Sequence, residues 1–261
     1  MITRKSKREL DLMRKASGVV AEVLALIGRL ARPGVTTAEL DNEARKLIKY
    51  RGCAPAFLGH GGKGRRPPFP ASICTSVNHE VVHGIPDQRP LQEGDLLSVD
   101  VGTCWRKYYG DGAATYAIGT VARPARRLMD TCRRALELGI AAIGPGKRLS
   151  TLARTIQGYV ESHGFSVVRD LVGHGIGTSL WEEPQVPNYV GSSLRDVVLR
   201  PGMVLAIEPM ICAGDWRVST LPNRWTVVAA DGSLAAHFEH TVAITNDGVE
   251  VLTVVADGGG N

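Results

Sequence analysis

An internal repeat limits how this chain can fold more than any other feature of its sequence. A Pro-Gly pair at 33–34 is followed, after one residue, by T-T-A-E-L, and a second at 145–146 is followed, after two, by L-S-T-L-A. Each pair precedes a Thr or Ser suited to capping a helix, and Thr36 with Glu39 fits a capping box. The first helix should run to Tyr50 and stop at Gly52; the second should run to Ser162 and stop at Gly164. The step from Pro33 to Gly52 and from Pro145 to Gly164 is the same nineteen residues. An amphipathic stretch comes before each pair. Leu10, Met13, Val20, Leu24 and Ile27 recur at helical spacing in one, and Leu128, Cys132, Leu136 and Ile140 in the other.

The correspondence continues downstream. His83-Gly84-Ile85 answers to His174-Gly175-Ile176. L-Q-E-G-D-L-L-S-V-D, ending at Asp100, answers to L-R-P-G-M-V-L-A-I-E, ending at Glu208; Leu, Gly, Leu and the final acid coincide. Each half therefore reads as a helix, a capped helix, an H-G-I segment and a strand that ends in a carboxylate. The expected organisation is one domain over 1–261 with pseudo-repeats of about 1–120 and 121–261. The strands look antiparallel. Residues 96–101 are apolar and β-branched, and 108–118 can return beside them across a connection at 104–107. Three more strands, at 225–229, 236–244 and 249–255, are separated by Asp-Gly signals. The fold class is then α+β: helices on a curved antiparallel sheet with pseudo-two-fold symmetry.

Composition removes several function classes. With 261 residues, 44% of them hydrophobic, a sizeable core can form without staples. Apolar runs stop well short of the ~18 residues that span a bilayer, so no membrane role is expected. The start, M-I-T-R-K-S-K-R-E-L, is basic but has no apolar core after it, so a cytoplasmic location is expected. Five cysteines, widely spaced and with no C-x-x-C pair, argue against a disulfide framework and a zinc ribbon. The net charge of +5 gathers in the first 15 residues and from Arg123 to Arg134. It suits an acidic partner such as ribosomal RNA, or simply a solvated helix face; no specific nucleic-acid motif accompanies it.

The chemistry lies in the carboxylates. If the hairpin turns near Arg106, Asp100 and Asp111 stand about opposite each other, with Cβ atoms ~4.5–5.5 Å apart. Two like charges that close are costly unless a cation lies between them. Glu208 ends the apolar run V-L-A-I-E, where a lone charge is strongly unfavourable, and Glu239 lies in H-F-E-H-T just before V-A-I-T. Four carboxylates and the imidazole of His174 suit two divalent ions ~3.5–4 Å apart. Oxygen-rich ligation with one nitrogen fits Mn²⁺, Fe²⁺ or Co²⁺ and also admits Zn²⁺.

V-V-H-G-I-P at 81–86, S-V-D-V-G at 98–102, G-D at 110–111, G-H-G-I-G at 173–177, E-E-P at 182–184, G-M-V-L-A-I-E-P at 202–209 and F-E-H-T at 238–241 resemble the type I methionine aminopeptidases, in their short bacterial form. The resemblance covers nearly the whole chain. It implies the pita-bread fold, two metals on Asp100, Asp111, His174, Glu208 and Glu239, and removal of Met from nascent chains whose second residue is small. A monomer with a transient ribosome contact is expected. Glu208 would pass a proton from water to the leaving amine, and His83 would contact the substrate. Phe69, Cys74, Leu180 and Trp225 match positions that line the Met pocket. The sequence departs from the family in two places. Trp181 stands where a second substrate-binding His is expected, and G-G-K-G-R-R-P-P at 61–68 replaces a shorter aromatic segment. Trp181 keeps open a weak or substrate-altered paralogue that binds peptide, ribosome or inhibitor. An Xaa-Pro aminopeptidase-like hydrolase is the other alternative, although such relatives usually carry an extra N-terminal domain.

Overall fold

The structure is a computed structural model that describes residues 2–62, 67–191 and 196–254. Its first half runs α1 (Lys7–Leu30), α2 (Thr37–Tyr50), β1 (Ala54–Pro55), β2 (Cys74–Val77), β3 (Glu80–Val82), β4 (Leu96–Trp105) and β5 (Tyr108–Ala117). The second half runs α3 (Arg123–Ala142), α4 (Leu149–Ser162), β6 (Ser166–Val167), β7 (Gly173–Gly175), β8 (Glu182–Val186), β9 (Val204–Ile207) and β10 (Met210–Cys212). Five strands complete it: β11 (Val218–Thr220), β12 (Val227–Ala229), β13 (Ala235–His237), β14 (Glu239–Ile244) and β15 (Val249–Val251).

The helices begin where side chains satisfy their free N–H groups. Ser6 with Glu9 and Thr36 with Glu39 form capping boxes at α1 and α2. The second half does this differently. Arg148 is the N-cap of α4 and makes no capping bond; the Asp196 carboxylate accepts from Ser150 N at 3.0 Å instead. The expected Ser or Thr cap therefore holds only in the first half. Both predicted helix ends stand: α2 ends at Tyr50 and α4 at Ser162, each followed by a glycine of positive φ, Gly52 and Gly164.

Each helix pair packs on its own strands. Val20, Val23 and Ile27 of α1 meet Leu40 and Ile48 of α2 and Leu97, Val99 and Val101 of β4. Leu128 and Leu136 of α3 meet Leu152 and Ile156 of α4 and Leu205, Ile207 and Val242. Every such fully buried side chain contributes roughly 1.5–3 kcal/mol. The main sheet is curved and antiparallel, in the order β1-β4-β5-β14-β9-β7-β8, with β2 on β4 and β15 on β14. Outward from the β5·β14 seam come β4 on one side and β9 on the other, the strands the repeat had paired. Gly94 and Gly202, matched in the repeat, both take positive φ just before those strands.

Several expectations are corrected. The strands β4 and β5 run to Trp105 and from Tyr108, so the connection is Arg106-Lys107 alone rather than 104–107. Both residues have positive φ, 49° and 70°, as a two-residue primed turn requires. Asp100 is therefore mid-strand, not at a strand end, while Glu208 does follow the last residue of β9. The second H-G-I begins within β7, but His83 lies past the end of β3. The expected strand 225–229 starts only at Val227, and the last one stops at Val251; residue 255 lies outside the described residues.

The expected strand 236–244 is two strands in different sheets. Before Phe238, β13 pairs with β10, Met210 opposite His237; after it, β14 pairs with β9, Ile207 opposite His240. Facing this break is Glu208-Pro209, between β9 and β10. Proline cannot donate to a ladder, so both chains change sheet at one corner.

Helix α1 can lie close on β5 because Gly110 has no side chain. A Cβ there would fall 2.6 Å from Ser17 N. We expect Gly110→Ala to lower unfolding stability by about 1–3 kcal/mol in urea titrations, as overpacking does. An unchanged midpoint would contradict the close packing of α1.

Candidate metal centre

Asp100 and Asp111 share a face of the β4·β5 hairpin, but diagonally. Asp100 pairs with Ala113 and Asp111 with Gly102, so the directly opposed arrangement is corrected to an offset of two residues. The offset still leaves the carboxyl groups close enough to share a hydrogen bond. Two threonines fix β5 reciprocally to β14 and to β13. Thr241 of β14 accepts from Asp111 N at 3.0 Å and donates to Asp111 O at 2.7 Å. Thr115 of β5 accepts from His237 N at 2.9 Å and donates to His237 O at 2.8 Å. Glu208 and Glu239 come to the same place from the sheet corner, and Asn188 donates to Glu208 O at 3.0 Å.

His174 arrives from β7, between two glycines. A Cβ at residue 173 would collide with Ala206 O, and one at residue 175 with Glu183 O. Only glycines let β7 fit between its neighbours at these points, which explains G-H-G. His174 Nδ1 lies 2.9 Å from Gly175 O, an acceptor, so Nδ1 carries the proton. Nε2 then presents its lone pair 3.5 Å from Glu208 Oε1 and 3.8 Å from Asp111 Oδ2.

Burial dominates the electrostatics. It raises the Asp100 pKa to about 7, against hydrogen bonds from Asp111 and Val101 N that lower it. Burial also pushes Asp111, Glu208 and Glu239 well above the usual carboxylate range, and their mutual repulsion pushes the same way. His174 falls to about 4 through desolvation and stays neutral near pH 7. Asp100 Oδ1 and Glu239 Oε1 are buried without a hydrogen-bond partner. Repelling carboxylates, orphaned oxygens and a neutral imidazole suit divalent cations. Asp111, His174 and Glu239 offer ligand atoms within 4.8 Å of one another, as do Glu208, His237 and Glu239. His237 was not anticipated. Its signal was its place two residues before Glu239, which an extended chain puts on the same face.

The carboxylates floor a cavity of about 550 Å³. Phe57, Phe69, Cys74, Val82, Met210 and Trp225 form its apolar wall. Phe69 meets Trp225 edge to face at 5.1 Å. His83 lines the cavity with φ +58°, a left-handed conformation that costs a non-glycine residue about 1–2 kcal/mol. Trp181 stands at the rim, 50% exposed, with its ring 4.5 Å from His60, a wall residue the sequence reading missed. Leu180 does not line the cavity. It packs behind the wall with Ile176 and Phe57. The Trp181 loop is anchored by Glu182, which accepts from Thr178 N and Ser179 N and pairs with buried Lys5 at 2.6 Å. Of the unusual segment 61–68, residues 63–66 lie outside the described residues; Gly61 bridges to Pro68.

Known proteins are similar to this chain in sequence and fold. The sequence profile of metallopeptidase family M24 matches residues 11–246. Methionine aminopeptidase from Clostridium acetobutylicum is 49% identical over 255 residues, 97% of this chain and 99% of its own. Methionine aminopeptidase 1 from Bacillus subtilis is 46% identical over 255 residues, 98% of this chain and 100% of its own. The crystal structure of methionine aminopeptidase from Thermotoga maritima matches with a TM-score of 0.91 at 43% identity, over 97% of this chain and all of that one.

Raised carboxyl pKa values mean that the folded, metal-free chain holds protons which the unfolded chain has lost above about pH 4. Stability falls as pH rises through the folded values. The buried imidazoles act in the opposite sense, but only below about pH 6.5, where the unfolded chain protonates them. We expect metal-free protein to melt at a lower temperature at pH 8 than at pH 6.5, and saturating Mn²⁺ to remove the difference. A metal-free melting point that rises over this interval would contradict the account.

Proposed function

The chain belongs to metallopeptidase family M24, and on that ground we propose that it hydrolyses N-terminal methionine from peptides and nascent proteins. One observation carries the reading: Asp100, Asp111, His174, Glu208 and Glu239 converge on the floor of a cavity whose other wall is apolar and aromatic. An unbranched thioether side chain suits a wall of Phe57, Phe69, Cys74 and Trp225, where ring edges and sulfur make soft contacts. The five floor residues would hold two divalent ions, Mn²⁺, Fe²⁺ or Co²⁺ with Zn²⁺ also compatible. Such ions supply an acidified water at neutral pH and positive charge for the scissile carbonyl.

The remaining work falls to the chain. Glu208 keeps a little solvent contact beside the cavity, unlike Glu239, so it is placed to take the proton from water and return it to the leaving amine. His83 borders both the apolar wall and the floor and is held there by the strained turn after β3, which suits a hydrogen bond to the scissile amide. Trp181 covers the rim where the residues after Met leave. Indole has one N–H and no acceptor, so it cannot relay a proton there. Removal of Met from nascent chains would suit a monomeric chain acting in the cytoplasm, with transient contact to the ribosome. No helix among the described residues is long and apolar enough to cross a membrane. The exposed arginines of α3 are partly offset within their own helix, by Arg133–Asp130 and Arg134–Glu137, so a ribosome contact rests more on substrate origin than on a strong basic face. Neither a non-catalytic paralogue nor an Xaa-Pro hydrolase is favoured.

Release of Met from Met-Ala-Ser, assayed with Mn²⁺, Fe²⁺ and Co²⁺ in turn, tests the activity; no release with any metal would refute it. His83→Ala should lower kcat about 10²–10⁴-fold while metal content is kept. Trp181→His should raise turnover of a Met-Ala peptide, and unchanged or lower turnover would show that the indole does not limit the reaction.

A further inference from the structure

His237 is placed among the carboxylates, yet the five-residue set leaves it unused. It is 1% exposed, at the end of β13, and its Nε2 is buried with no hydrogen-bond partner. A buried polar atom left so costs about 1–3 kcal/mol. It does not line the cavity, so substrate is not its partner. The nearest carboxylate atoms are Glu208 Oε2 at 3.9 Å and Glu239 Oε2 at 4.0 Å. Both separations are too long for hydrogen bonds. They do suit atoms that share one ion: two ligand atoms each about 2.1 Å from a cation lie roughly 3–4.2 Å apart, depending on the angle between them. The backbone that presents the ring is fixed, since Thr115 holds it at both N and O and Met210 pairs opposite it.

We infer that His237 is a sixth protein ligand of the metal centre, joining Glu208 and Glu239 on one ion. Glu239 also belongs to the group formed with Asp111 and His174, so it is shared between two imidazole-bearing groups. The inference rests on the metallopeptidase reading and deepens it. An added nitrogen ligand strengthens binding of Co²⁺ more than of Mn²⁺, because imidazole favours the later ions of the first transition row.

The test uses the full chain, stripped of metal and reloaded with Co²⁺. A proton spectrum of the Co²⁺ protein should show two solvent-exchangeable, paramagnetically shifted imidazole N–H signals, one each from His174 and His237. His237→Gln, a polar replacement of similar size, should remove one signal and weaken one Co²⁺ site about tenfold or more by calorimetry. Its loss of Mn²⁺ affinity should be smaller. Two Co²⁺ ions bound with a single shifted signal, and unchanged affinities in His237→Gln, would overturn the inference while leaving the metallopeptidase intact. No Co²⁺ bound by the unaltered chain would overturn both. The signal count needs no variant, so a poorly folding His237→Gln does not spare the inference.

Discussion

Mutual repulsion among Asp100, Asp111, Glu208 and Glu239, held together where water is largely excluded, is the constraint around which the rest of the structure is arranged. Four such groups cannot all ionise in a medium of low polarity without compensating charge. The raised pKa values express that frustration, and the orphaned oxygens of Asp100 and Glu239 show where it is unrelieved. Nothing cationic among the described residues pairs with them. Half-buried His174 and buried His237 are held neutral by desolvation, at pKa values of about 4 and about 3. The chain has therefore placed together a set of groups whose repulsion divalent cations would relieve.

The duplication explains how a sheet can hold that set without collapsing. Each half supplies a helix pair, its own core and one strand beside the β5·β14 seam. Reciprocal threonine clamps hold β5 to both neighbours, Thr241 of β14 on Asp111 and Thr115 on His237 of β13. The sheet corner at Pro209 and Phe238 then turns Glu208 and Glu239 toward the hairpin aspartates. Strands thus carry Asp100, Asp111, His174 and Glu239, with Glu208 at the corner between β9 and β10, while loops bring His83, His60 and Trp181 to the cavity. Catalytic sites often divide this way, with precise geometry on the scaffold and selectivity on the connections.

The helices and the five floor residues could be read from the sequence because their signals are local: the caps of the first half, glycine stops, acids in or beside apolar runs, and the G-H-G-I-G motif that carries His174. What escaped was non-local or lacked its usual residue. The cap of α4 comes from Asp196, 46 residues beyond Ser150, which no nearby spacing reveals. The hairpin turn uses Arg106-Lys107 where Asn-Gly is the common choice, so its length was overestimated. The corner at Phe238 falls in a stretch with no Gly, Pro, Asn or Asp to mark a break, so 236–244 reads as one strand and gives no sign that His237 faces Glu208. Leu180 has the right apolar character for a pocket wall, but residue type alone does not separate the first layer of a wall from the second.

Crystals grown with Mn²⁺ and measured for anomalous scattering would test the central claim most directly. The account predicts two peaks among Asp100, Asp111, His174, Glu208 and Glu239, about 3.5–4 Å apart. An absence of peaks there, with protein shown to be folded and saturated with Mn²⁺, would contradict it.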